Sequence, residues 1–288
     1  LRFAALDDRV AVWMEPRVDG MAPRVEARLV DGPCLDWRSR LQADFTDPAH
    51  PVITGEYPRD CASRTWYVNL WPHDEYLRQA FVQLWTELGG TVGPGFAVRT
   101  GPIPPGARLL AERVSAPLAE QIREVNKFSN NVMARQIFLT MGGDGNGAPR
   151  SAATAQRNVA AWLGAKGIDI APLVLDNGSG LSRVERTSAR MLGAVLQSAQ
   201  RSTVMPEFIA SLPILGLDGT VRRRLGGEAA VGAAHLKTGS LADTRAIAGY
   251  VQAASGRRYV VVSIISGPRA TGAQAVHDAL LRWLYAQG

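Results

Sequence analysis

Lysine is scarce in this sequence: three residues, Lys127, Lys166 and Lys237, stand against 29 arginines in a chain of 288. Histidine is nearly as rare, and His50, His73, His235 and His277 are too dispersed to form a metal site. With no His/Cys/Asp ligand spacing either, no metal and no cofactor are expected. Cysteine is limited to Cys34 and Cys61, both in an irregular N-terminal part. So small an even count fits one disulfide in an oxidising compartment, and it also fits two unrelated buried thiols. No apolar run approaches the roughly 18 residues of a membrane span. The longest mainly apolar stretch, Tyr259 to Ile265, reads as a strand. The sequence opens on leucine with no charged-then-apolar secretory signal behind it, which predicts a processed start or one piece of a longer polypeptide.

Hydrophobic residues at 46% and charged residues at 20% describe a globular chain, long enough for one large domain or for one domain plus part of another. The net charge of +6 leaves three readings open: a nucleic acid, an anionic envelope polymer, or a basic composition with no particular partner. The arginines are scattered, the densest run being Arg222-Arg223-Arg224, and no recognition motif accompanies them. Nucleic acid is therefore not expected as a partner.

Residues 1 to about 72 read as short strands, at Val10 to Met14, Val25 to Val30 and Trp66 to Leu70, separated by Pro and Gly punctuators. They predict part of a small β-rich domain. The character changes after Trp71-Pro72. Asp74 can cap a helix whose apolar residues Tyr76, Leu77, Phe81, Leu84, Trp85 and Leu88 follow three- and four-residue spacing, ending at Gly89-Gly90. A domain boundary is expected here, giving residues 1–72 and 73–288.

A loop from Gly93 to Gly106 then leads to an expected strand, Ala107 to Ser115. Helices are predicted from Ser115-Ala116-Pro117 to near Asn126, from Val132 to Met141, from Ala152 to Gly164 and from Thr187 to Ala199. Gly142 to Gly147 lacks the endings of a phosphate or calcium loop and reads as a flexible connection. Val174 to Arg183 reads as a strand end and a tight turn, with Asp176 and Ser179 shaping the fold beneath a site and Leu181 in the core. Leu212 to Thr220 is a loop, and the basic run behind it is expected on a solvated helix face. Three strands at hairpin spacing follow, at His235 to Leu241, Ala246 to Ala253 and Tyr259 to Ser266. A last helix, Thr271 to Tyr285, is expected to bury Val276, Leu280, Trp283 and Leu284. Helices around an antiparallel sheet, with an unlike β-rich piece in front, make an α/β (α+β) assembly.

Chemistry concentrates at two places. In His235-Leu236-Lys237-Thr238-Gly239-Ser240-Leu241, period-2 alternation turns Leu236 one way and His235, Lys237 and Gly239 the other. A lysine there faces a groove with a compact ammonium, and Gly239 leaves room for a ligand backbone alongside the strand. His235 reads as an exposed strand residue. The second place is Lys127-Phe128-Ser129-Asn130-Asn131, between two helices. Ser129 and Asn131 can share a groove if Asn130 turns away; a hydroxyl beside a lysine can relay a proton, and a carboxamide can hold a peptide amide. The plain alternative is a polar loop with Asn131 capping the next helix.

Ser-x-Asn followed 108 positions later by Lys-Thr-Gly matches two of three motifs of penicillin-binding proteins and serine β-lactamases. Several flanks sharpen the match: Ser115-Ala116-Pro117-Leu118, the Asp176 to Arg183 turn, Ser211-Leu212-Pro213 with Asp218-Gly219-Thr220, and Ala248-Gly249-Tyr250. Together they resemble the D-alanyl-D-alanine carboxypeptidase/endopeptidase family of the penicillin-binding protein 4 type. The likeness is good over about residues 72 to 288 and loose before that.

The resemblance implies a serine β-lactamase/transpeptidase-like domain, with residues 1–72 the remnant of a β-rich inserted domain. It also implies peptidoglycan stem peptides as substrate, β-lactam antibiotics as ligands, an acyl-enzyme mechanism and an exported, periplasmic protein. Its roles fall on Ser129 as proton relay, Asn131 on the substrate amide, Lys237 in support of the relay, and Thr238 on the substrate carboxylate. Gly239 lies beside the substrate, and the backbone N–H of Ser240 forms half of an oxyanion hole.

The third motif, Ser-x-x-Lys, is missing: Glu124, Leu163 and Ala234 stand three positions before the three lysines. The nucleophile is therefore expected in an upstream segment of a longer protein, with this chain alone inactive. Two alternatives are a non-catalytic muropeptide-binding module or pseudoenzyme, and a class A type β-lactamase. The latter is disfavoured because no additional Glu motif can be placed.

Overall fold

The structure, a computed structural model, describes residues 1–143 and 150–288. Most of the Gly142 to Gly147 connection lies outside the described residues. Two compact units are present, Leu1–Leu110 and Ala111–Gly288.

In the first unit, β1 (Arg2–Leu6) turns at Asp7-Asp8 into β2 (Arg9–Trp13). The strand expected over Val25 to Val30 is split into β3 (Arg24–Val25) and β4 (Arg28–Val30). β5 (Leu41–Asp44) and β6 (Val52–Pro58) follow, then β7 (Ser63–Thr65). β2, β1 and β7 make one antiparallel sheet; β6 carries β3 and β4 in parallel and β5 antiparallel in another. Phe3, Ile53, Tyr57 and Cys61 are fully buried in the core of the unit, each large side chain contributing about 1.5–3 kcal/mol by leaving water. Cys34 and Cys61 are joined by a disulfide.

Trp66 to Leu70 is not a strand. Trp66 stacks on Phe3, its backbone exchanges hydrogen bonds with Leu1, and the chain leaves the sheet there. Helix α1 (His73–Glu87) opens after Pro72 without a side-chain cap; Asp74 sits in its first turn, where a carboxylate complements the helix dipole. The expected boundary at residue 72 falls inside this unit, because the Asp19 N–H donates to Gln79 O of α1 at 3.3 Å. The apolar stripe of α1 (Leu77, Phe81, Leu84, Trp85) is exposed. Residues 107–115 form no strand: Leu109, Leu110 and Val114 are exposed, so β-propensity found no neighbouring strand to pair with.

The second unit begins with α2 (Leu118–Phe128), which opens after Pro117 without the expected Ser115 cap. It continues through α3 (Asn131–Thr140), α4 (Ala152–Ala165), α5 (Ala189–Gln200, capped by Ser188) and the short α6 (Met205–Ser211). Then come β8 (Ala234–Leu241), β9 (Thr244–Gln252), β10 (Arg258–Ser266) and α7 (Ala273–Gln287). The three strands form an antiparallel sheet ordered β10-β9-β8. Its alternating residues divide between two layers. Leu236, Ile247, Val251 and Val261 meet Leu281 of α7, while Ala248, Tyr250, Val260 and Val262 meet Leu196 of α5 and Phe208 of α6. Gly249, opposite Leu236, has φ +155°, and a Cβ there would lie 2.0 Å from the His235 carbonyl oxygen. Only glycine lets β8 and β9 approach so closely.

Three further expectations fail here. α7 buries Ala273, His277 and Leu281 and packs Leu280 and Leu284 against the core as expected, whereas Val276 and Trp283 are exposed: the helix starts two residues later and its inward stripe is rotated only in part. The basic run is not a helix face. Arg224 is buried against Asp278 of α7, with Nε and Nη2 donating to Oδ1 at 2.8 and 2.5 Å, while Arg222 and Arg223 are exposed. Leu181 is exposed rather than in the core.

Candidate active site

α2 stops because Ser129 adopts the left-handed conformation, φ 54° and ψ 46°, with its N–H donating back to Val125 O. Asn130, not Asn131, caps the next helix: its Oδ1 accepts the Met133 N–H at 3.0 Å. That division of labour frees Ser129 and Asn131 to face inward. The Asn131 Nδ2 donates to Ser179 O at 2.6 Å, in the turn that follows Val174. The carboxylate of Glu185 accepts the N–H groups of Asp176, Asn177 and Gly178 and organises that turn. Gly178, at φ +71°, packs on Phe138 of α3 where a Cβ would lie 2.4 Å from the phenylalanine.

Lys237 reaches across from β8. Its Nζ donates to Ser129 Oγ at 2.7 Å and to the Thr238 carbonyl at 2.8 Å. Burial pushes the Lys237 ammonium below its ordinary value of 10.5, so its neutral form is more accessible than in water. The arrangement can pass a proton between an amine and a hydroxyl.

Thr238 lies next to this pair, with its Oγ1 2.9 Å from Thr220 Oγ1. Gly239 and Ser240 continue β8 into solvent. The Leu236 N–H donates away from β9, to Pro213 O at 2.8 Å. By the two-residue period of a strand, the N–H of Ser240 points to that same outer edge. The structure thus gathers Ser129, Lys237 and Thr238 in one place, ties Asn131 at the start of α3 to the adjoining turn and leaves Gly239 and Ser240 along the rim.

Sequence reasoning quoted Lys127 and Asp218 only as parts of motifs and flanks and did not pair them. Lys127 is buried, and its Nζ donates to Leu212 O at 2.7 Å and to Asp218 Oδ2 at 2.6 Å. Asp218 Oδ1 accepts the Ile214 N–H at 2.6 Å. Although burial works upward on Asp218, the hydrogen bond from Lys127 holds its carboxyl below the ordinary value. The scarcity of lysine was the available signal, since Lys127 is one of three. His235, expected as exposed, is half-buried: its Nδ1 lies 3.2 Å from Ile209 O, and burial lowers its pKa. Among the described residues no His/Cys/Asp/Glu cluster could hold a metal ion.

Carboxypeptidase DacB of Mycolicibacterium smegmatis is 37% identical over 183 residues, covering 61% of this chain and 39% of its own. The D-alanyl-D-alanine carboxypeptidase of Actinomadura sp. strain R39 is 34% identical over 180 residues, covering 60% and 33%. The chain therefore spans about two fifths or less of the length of these relatives. Penicillin binding protein 4 (dacB) of Haemophilus influenzae shares the fold, at a TM-score of 0.68 and 21% identity, over 96% of this chain and 62% of that one. This is the transpeptidase-like α/β architecture. The profile of the D-Ala-D-Ala carboxypeptidase 3 (S13) family matches residues 39–287, and with the motifs assembled at the end of α2 and along β8, the chain belongs to that family.

Proposed function

We propose that the whole protein is a serine-type D-Ala-D-Ala carboxypeptidase of peptidoglycan stem peptides, acting through an acyl-enzyme and binding β-lactams. Endopeptidase action on cross-links belongs to the same chemistry. The nucleophile is the serine of a Ser-x-x-Lys motif outside these 288 residues, so the chain alone is inactive. The strands within residues 1–72 belong to a β-rich inserted domain, and the protein works in the periplasm.

The serine oxygen attacks the carbonyl carbon of the penultimate D-Ala, and the C–N bond to the terminal D-Ala breaks. Its proton reaches the leaving amine through Ser129, which Lys237 supports. Asn131 holds the substrate amide, Thr238 binds the terminal carboxylate, Gly239 leaves room for the peptide backbone, and the Ser240 N–H stabilises the oxyanion. Water then hydrolyses the ester and restores the serine.

The single observation that carries this reading is the 2.7 Å contact between the desolvated Lys237 ammonium and the Ser129 hydroxyl. Mass spectrometry of a polypeptide that includes Ser-x-x-Lys, treated with penicillin, should show one covalent adduct, while residues 1–288 alone should show none. A Ser-x-x-Lys form that never labels would refute the enzyme. The lack of Ser-x-x-Lys within this chain favours one second reading, a non-catalytic muropeptide binder. That reading would survive only if such a form still bound a D-Ala-D-Ala peptide.

A further inference from the structure

Thr220 is exposed, yet its backbone is held from two sides. Asp218, two residues earlier, is tied by one carboxylate oxygen to Lys127 at the end of α2 and by the other to the Ile214 N–H. Gly219, at φ +56°, packs so closely on α2 that a Cβ would lie 2.7 Å from the Lys127 carbonyl oxygen. Val221, the residue after Thr220, is fully buried in the core. On the other side the same loop is stitched to β8, through Leu215 N–H to Ala234 O and Leu236 N–H to Pro213 O. The loop therefore links the element that carries Ser129 to the strand that carries Lys237, and Thr220 stands at its tip.

The hydroxyls of Thr220 and Thr238 face each other at 2.9 Å. Two hydroxyls carry two protons. One is spent between the oxygens, which leaves one donor for a third group, and a hydroxyl that accepts a bond becomes a stronger donor. A carboxylate has two acceptor oxygens and can also draw the shared proton outward, taking one bond from each threonine. A neutral amide in the same place can pair its oxygen and its N–H with the two hydroxyls, but it carries no charge, so each bond is weaker than one to a carboxylate.

We propose that Thr220 is a specificity residue. With Thr238 it forms a two-hydroxyl clamp for the C-terminal carboxylate of the substrate, and the Lys127–Asp218 pair positions it there. This inference rests on the reading of the site as a D-Ala-D-Ala peptidase.

The test uses the intact polypeptide with its Ser-x-x-Lys segment, as wild type, Thr220→Val and Thr220→Ser. Each is assayed on a peptide ending in D-Ala-D-Ala carboxylate and on the same peptide ending in a C-terminal amide. Thr220→Val should lower kcat/KM on the carboxylate peptide by about tenfold, mainly through KM, the loss of one hydrogen bond to a charged group. Activity on the amide peptide should stay within about twofold, and Thr220→Ser should restore the carboxylate preference. Equal losses on both peptides would reduce Thr220 to a structural residue and overturn the clamp, as would no loss on either. A wild type that forms the penicillin adduct while Thr220→Val matches it on both peptides sinks only the clamp. A wild type that neither labels nor hydrolyses sinks the peptidase reading and the clamp with it.

Discussion

Lys127 and Asp218, 91 positions apart, meet at 2.6 Å, and only the lysine is fully enclosed: its side chain is 4% exposed against 36% for the aspartate. The pair is therefore asymmetric. Asp218→Ala strands an ammonium inside the protein and should cost about 3–5 kcal/mol. Lys127→Met should cost clearly less, because the aspartate left behind can hydrate and methionine refills the space. Urea unfolding of the chain checks the order, and a Lys127→Met variant weaker than Asp218→Ala would contradict it.

Asp218 also sets a pH dependence. Its carboxyl titrates below the ordinary 3.8 in the folded protein, so the unfolded chain binds the proton more readily. The stability it contributes is full above that ordinary value and is lost as the pH falls through the folded one. In urea midpoints measured from pH 6 down to acid, Asp218→Asn should show a shallower decline than the wild type below about pH 4. Parallel curves would remove the linkage.

Lys237 gives a slope of the same sign for the opposite reason: its charged form is disfavoured by folding, where that of Asp218 is favoured. Burial lowers the pKa of Lys237, so between the folded value and 10.5 the unfolded chain holds the extra proton and stability rises with pH. At neutral pH the partly buried ammonium works against folding. Lys237→Met should raise the stability of the chain at neutral pH, read as a higher urea midpoint. In the intact enzyme, Lys237→Ala or Ser129→Ala should slow penicillin acylation by at least about tenfold. Unchanged acylation, followed by mass spectrometry over time, would strip both residues of their roles.

Gly249→Ala tests the close approach of β8 and β9. A methyl group 2.0 Å from the His235 carbonyl oxygen meets backbone, which cannot swing aside as a side chain can. The substitution should cost at least ~3 kcal/mol, read as a fall in Tm or a loss of folded protein. A variant with unchanged Tm would show that the strands can separate freely.

The strand carrying Lys237 was legible because its alternation is strict, with Ala234 and Leu236 buried and His235 and Lys237 turned away. The contact between Ser129 and Lys237 followed from the paired motifs, although neither residue says anything about the other locally. What was not legible depended on partners far along the chain. Residues 107–115 had the composition of a strand and no strand beside them. Arg224 looked like one of three solvated arginines until Asp278 of α7 met it. On α7, Leu280 and Leu284 turned inward as their spacing suggested, but Leu281 took the centre of the contact with the sheet and left Val276 and Trp283 in solvent. The choice between Asn130 and Asn131 as cap was undecidable locally, since both side chains can accept the same N–H and only the Ser179 carbonyl separates them.

Ser129 sits where an L-residue with a Cβ is uncomfortable, at a cost of roughly 1–2 kcal/mol that glycine escapes. Ser129→Gly should therefore harden the fold at the very position where Ser129→Ala leaves the discomfort in place, although both erase the same hydroxyl. Serine at this position therefore holds a hydroxyl 2.7 Å from the Lys237 ammonium in a backbone conformation that glycine would adopt more easily.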